Sequence, residues 1–169
     1  MRRLLRVVDS ISEGAGHVGS WAVMALILAL GVKVFARYLF HEPTIWSYET
    51  ASMLGVTIAY IGWSYTLRHH GHVRVDVFYV RLSRRQQALV DVLLTLLLFF
   101  PLVFVLVYYS ADKAWFAWSI SERLMETNWY PPAFPIRAVM VVGFSLLVLQ
   151  GLAQFTRDLY MLVRNKPYD

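Results

Sequence analysis

Four long stretches of this chain carry no formal charge: residues 14–32, 50–67, 92–109 and 138–156. A bilayer hydrocarbon core ~30 Å thick is spanned by about 20 apolar residues in a helix. Each stretch approaches that length and each is closed by charge: Lys33, Arg68, Asp112 with Lys113, and Arg157. In lipid every backbone N–H and C=O must be satisfied within the segment, which leaves helices as the form for such runs. Hydrophobic residues make up 58% of the chain, above the roughly 45–50% of soluble domains. The expected fold class is therefore an all-α integral membrane protein with four transmembrane helices. The chain of 169 residues reads as a single membrane domain, 1–169, with crossings at about 14–40, 44–70, 87–115 and 135–158.

The cations orient it. The amino end (Arg2, Arg3, Arg6), the 68–85 connection (Arg68, Arg74, Arg81, Arg84, Arg85) and the tail (Arg157, Arg164, Lys166) hold eleven Lys and Arg against five elsewhere. Cytoplasmic loops carry the excess of Lys and Arg, so both termini are expected inside, N-in and C-in. The net charge of +5 then faces anionic lipid. It does not point to nucleic acid, because the charges are split among short loops.

Short amphipathic interfacial helices are expected beside the crossings. Residues 1–13 set Leu4, Val7, Val8 and Ile11 at helical spacing among three arginines, and residues 74–83 set Val75, Phe78, Tyr79 and Leu82 opposite Arg74 and Arg81. Asp76 is placed to cap the second of these. Ser83 and Gln86 form an S-x-x-Q capping box for the next crossing. Pro101 falls mid-crossing, where it removes one backbone bond and should kink the helix. Pro43 breaks the chain before Thr44 or Ser47, either of which can cap the second crossing. Gly143, Ser145, Gly151 and Ala153 give the last crossing small residues for close helix contact.

Charges one turn inside an apolar run are the natural site candidates. Counting outward from the 41–43 turn puts Glu49 at the depth of Arg37, which is expected to pair with it, with Lys33 as the alternative. His69, His70 and His72 suggest a metal, yet only Asp76 stands near as an acidic partner, so interfacial packing is the better reading. All five histidines fall at crossing ends rather than at haem-ligating depth. With no cysteine in the chain, thiol catalysis and Cys-based metal sites are excluded. No nucleophile–base set, phosphate loop or H-E-x-x-H is present. Mid-crossing polarity is limited to Thr57, Ser64, Thr95, Ser145 and Gln150, which makes a poor pore. Neither a catalytic site nor a cofactor or metal site is expected. Two rivals remain, an autonomous membrane redox protein or enzyme and a self-assembling channel.

The order Trp46, Glu49, Arg68, Gly71, His72, Val73, Val75, Asp76 resembles the small membrane subunit, the DctQ family, of tripartite ATP-independent periplasmic (TRAP) transporters. In that family an acidic residue opens the second helix and R-x-G-H-[IV]-x-[VI]-D closes it. Here the closing run is R-H-H-G-H-V-R-V-D, with one extra residue between Arg68 and Gly71. The stretch NWYPPAFPIR is similar to the W-x-P-P-x-x-P-[IL]-[KR] form of one branch. Many members carry two adjacent acids where this chain has Tyr48-Glu49-Thr50, so a role needing a second carboxylate does not transfer.

The resemblance implies an accessory scaffold for a sodium-driven secondary transporter of organic acids. The substrate and sodium sites belong to a large multi-spanning membrane subunit, so no cofactor is expected in this chain. A periplasmic substrate-binding protein delivers the substrate. Lys33, Arg37, Glu49, Arg68, Gly71, His72 and Asp76 become structural and assembly residues in a bacterial inner membrane. The loop at 122–130, with Glu122, Glu126, Trp129 and Tyr130, becomes the candidate face for the binding protein.

Overall fold

No breaker separates the basic amino end from the first uncharged run, and the two form one helix, α1 (Arg2–Phe40). The amino-terminal interfacial helix is thus not a separate element. In a computed structural model the described residues are 2–41, 44–69 and 82–164. The expected interfacial helix at 74–83, and Gly71, His72 and Asp76 with it, lie outside them.

The next described helix is α2 (Ser47–Arg68). Neither expected cap is used there. The N-cap position is Trp46, without a side-chain bond, and Ser47 Oγ instead donates back to the Thr44 carbonyl at 2.9 Å. The next helix begins as its S-x-x-Q spacing predicts. Ser83 Oγ accepts from the Gln86 backbone N–H, and Gln86 Oε1 accepts from the Ser83 backbone N–H at 2.9 Å. It runs as α3 (Arg84–Leu94), a π-helical turn at Thr95–Phe99, and α4 (Phe100–Ser119). Pro101 explains the π turn. Proline supplies no N–H to the carbonyl one turn back, and here the ladder widens, with the Phe100 N–H reaching Thr95 O. The last helix is α5 (Phe134–Arg164).

Side-chain contacts fix the packing. Gly16 of α1 lies against the Tyr65 ring of α2, so the start of one helix meets the end of the other and the two are antiparallel. Gly143 of α5 lies on the Tyr60 backbone of α2. Gly151 of α5 lies on the Phe99 ring, and Phe100 and Phe155 meet edge to face at 5.5 Å. Helix α5 therefore runs parallel to α2 and antiparallel to α1 and to the α3–α4 rod. The order across the molecule is α1, α2, α5, α3–α4, with α1 also touching α5. One end of this row gathers the start of α1, the end of α2, the start of α3 and the end of α5. We call it the terminal end, and the opposite one the loop end.

Among the described residues three helical segments are long and apolar enough to cross a membrane: Arg3–Phe40, Arg84–Ser119 and Phe134–Arg164. Helix α2 is not among them. It lies between α1 and α5, buries Ser47, Glu49 and Ser64, and shows less of itself outside than its neighbours do. Trp21, Leu28, Leu97, Leu98, Tyr108 and Trp115 of the outer helices are each more than three-fifths exposed. Such an apolar exterior belongs in lipid or against another membrane protein.

Candidate functional site

Polar side chains concentrate at the two ends of the row. At the terminal end three helices converge on Asp9 of α1. Its Oδ2 accepts from Arg157 Nη2 of α5 at 2.5 Å, and its Oδ1 accepts from Gln150 Nε2 at 3.3 Å. Arg68, at the end of α2, donates through Nη1 to the Asp9 carbonyl at 2.6 Å and stands 2.8 Å from Glu13 Oε1. His69 Nε2 lies 3.0 Å from the same Glu13 oxygen, and its ring sits against Tyr65 with centroids 4.4 Å apart. Beneath them Ser12 Oγ donates to Gln150 Oε1 at 2.8 Å. Ser12 and Gln150 are 1% and 0% exposed, so their bond replaces water that neither can reach. Hydrogen bonds with one charged partner contribute about 1.5–3 kcal/mol each, less where water competes.

At the loop end Glu49 is 1% exposed. Its Oε1 accepts from the backbone N–H of Thr127 at 2.9 Å, while Oε2 is buried without a hydrogen-bond partner. The expected ion pair with Arg37 or Lys33 does not form. Arg37 is exposed, Lys33 is half-buried, and the carboxylate is spent on the loop after α4. The count from the turn fixes how far along the row a residue lies. It does not fix which face of the helix carries it, and Glu49 is on the face toward the loop.

That loop is folded in its own right. Glu122 N–H returns to Ala117 O at 2.9 Å, Leu124 N–H to Pro131 O at 2.9 Å, and Ala133 N–H to Glu122 O at 2.9 Å. Arg123 and Pro132 make an isolated antiparallel bridge. Ser121 (φ 52°) and Tyr130 (φ 49°) take left-handed conformations, uncommon for residues with a Cβ, and so reverse the chain tightly. Arg137 of α5 clamps the base, with Nη2 on Glu122 Oε1 at 2.5 Å and Nη1 on the Lys113 carbonyl at 3.0 Å. Of the four loop residues singled out from sequence, Glu122 is thus half-buried in an internal pair. Glu126, Trp129 and Tyr130 are exposed.

Between the ends, polar side chains satisfy themselves on their own helices. Thr57 bonds Met53 O, Ser64 bonds Ile61 O and Ser145 bonds Val141 O. The described residues give no polar file from one end to the other. Sequence reasoning placed Arg68 at the inner turn, but missed Asp9, Ser12 and Arg157 as partners. The only signal was an acid set among arginines and apolar residues at the amino end.

A row of long apolar helices, tied at both ends by polar side chains, is the build of a multi-pass membrane protein. The chain belongs to the DctQ component family of tripartite ATP-independent periplasmic transporters, which it matches over residues 26–160. It is similar to the sialic acid TRAP transporter permease protein SiaT of Haemophilus influenzae (strain 86-028NP), with 23% identity over 141 residues, 82% of this chain and 22% of that protein. It is also similar to the sialic acid TRAP transporter small permease protein SiaQ of Vibrio cholerae serotype O1 (strain ATCC 39315 / El Tor Inaba N16961), with 23% identity over 145 residues, 84% of this chain and 81% of that protein. The chain therefore spans about a fifth of the first relative and most of the second. Glu49, Arg68, Gln150 and Arg157 fall within the family match, whereas Asp9, Ser12 and Glu13 precede it.

Proposed function

We propose that this chain is the small scaffold subunit of its transporter, crossing the membrane four times with both termini in the cytoplasm. It braces a large multi-spanning subunit that carries the substrate and sodium sites. Transport is secondary and sodium-driven, and the cargo is an organic acid brought by a periplasmic binding protein. The two relatives named for sialic acid make a carboxylated substrate the natural class.

The observation that carries this reading is where the polar groups are. They tie α1, α2 and α5 together at the terminal end and α2 to the loop at the other, and the described residues leave no polar path between. Such a body holds a shape; it does not conduct. The orientation is supported by Arg3, Arg6, Arg68, Arg84, Arg85, Arg157 and Arg164, which all lie at or near the terminal end. Lys33, Arg37 and Glu49 at the loop end and Arg68 at the other are assigned to shape and assembly, as are Gly71, His72 and Asp76, which lie outside the described residues. The 122–130 loop, exposed at Glu126, Trp129 and Tyr130, is assigned to docking of the binding protein.

Purification from native membranes in mild detergent tests the reading. A fixed one-to-one ratio with a large multi-spanning subunit is expected. A stable homo-oligomer that carries no other subunit would contradict it.

A further inference from the structure

Helices α2 and α4 pack chiefly on α5 rather than on each other. Toward the loop end this leaves a cleft of about 340 Å³, floored by α5 and walled by the other two helices. Its lining is mostly apolar, with Leu106, Met140, Phe144 and the Tyr60 and Tyr109 side chains, and with Ser110, whose hydroxyl donates to Val107 O. Lys113 and Arg137 line it at the loop end. Arg137 is already neutralised by Glu122. Lys113 is exposed, and its ammonium makes no ion pair among the described residues.

We propose that this cleft binds one phospholipid of the surrounding bilayer, with its phosphate at Lys113 and one acyl chain running down toward Phe144. Two features select this occupant. The lining is cationic at the loop end and otherwise mostly apolar, which matches an anionic head on a hydrocarbon tail. From Arg137 to Phe144 is seven residues, or ~10 Å along the helix, the reach of the upper part of an acyl chain. A lipid held here fills the gap between α2 and α4 and joins them without a direct contact. This goes beyond the scaffold role and rests only on the chain lying in the membrane.

Native mass spectrometry of the intact transporter, delipidated and titrated, tests the site. The probes are palmitoyl-oleoyl phosphatidylglycerol and the diacylglycerol with the same two chains, which lacks the phosphate. One phosphatidylglycerol retained per chain is expected, at least tenfold tighter than the diacylglycerol. Lys113→Gln, at an exposed position that folding does not need, should weaken the phosphatidylglycerol about tenfold and leave the diacylglycerol unchanged. Met140→Trp and Leu106→Trp, which fill the cleft from two different helices, should each remove the bound lipid while the melting temperature holds. Equal retention of both probes, indifference to Lys113→Gln, retention in both cleft-filling variants, or a photo-crosslinker at position 106 that captures protein instead of lipid would each overturn the proposal.

Discussion

Asp9 and Arg157 lie 148 residues apart in sequence, and their carboxylate and guanidinium meet at 2.5 Å. With the buried Ser12–Gln150 bond, this pair ties α1 to α5 across the end of α2. The same carboxylate also holds Gln150 and faces Arg68, so a single acid gathers three helices.

Removing that acid should loosen the terminal end. Asp9→Ala leaves Arg157 and Gln150 without their shared acceptor, and a cost of about 1–3 kcal/mol is expected. Arg157→Ala should cost a similar amount, and the double variant less than the sum of the two. A double-mutant cycle on thermal stability in detergent reads the coupling directly. Strict additivity would show that the pair does not hold the fold.

Gly143 is the point of closest approach between α2 and α5. A Cβ placed there would stand 2.6 Å from the Tyr60 carbonyl oxygen, a backbone atom that no rotamer change can move aside. Gly143→Ala should therefore destabilise by about 1–3 kcal/mol as the helices are forced apart. Gly55→Ala on α2, where an added Cβ meets nothing within 4 Å, should be neutral or mildly stabilising. The two melting temperatures, measured side by side, separate packing from helix propensity.

Glu49 ties the loop to α2. Glu49→Ala strands the Thr127 N–H and should open the 120–133 loop to limited proteolysis. Arg37→Ala and Lys33→Ala should leave the cleavage pattern as it is, because neither cation reaches that carboxylate. Protection unchanged in Glu49→Ala, or lost in Arg37→Ala, would restore the ion pair expected from depth alone.

What could be read from the residues was what depends on neighbours in the chain. The capping box from Ser83 to Gln86 is four residues long and appears as written. The uncharged runs contain the cores of the long helices, though α1 starts at Arg2 because nothing before Gly14 breaks it. Pro101 announced a disturbed ladder, but the choice of a π turn depends on how the widened coil packs. What could not be read was which faces meet. Glu49 was given a cation as partner and instead accepts from a backbone N–H, since the loop it meets lies more than seventy residues away. Asp9 passed unremarked among arginines, since its partners Gln150 and Arg157 come from the far end of the chain. Gln150 looked like faint polarity in an apolar run and is one of the two most buried polar residues, with Ser64.

The central question is whether transport chemistry resides in this chain. Proteoliposomes containing it alone, with an inward sodium gradient and, outside, binding protein and the radiolabelled organic acid which that protein carries, test that directly. No uptake above empty vesicles is expected, with uptake appearing when the large subunit is co-reconstituted. Sodium-dependent accumulation by this chain alone would contradict the scaffold reading.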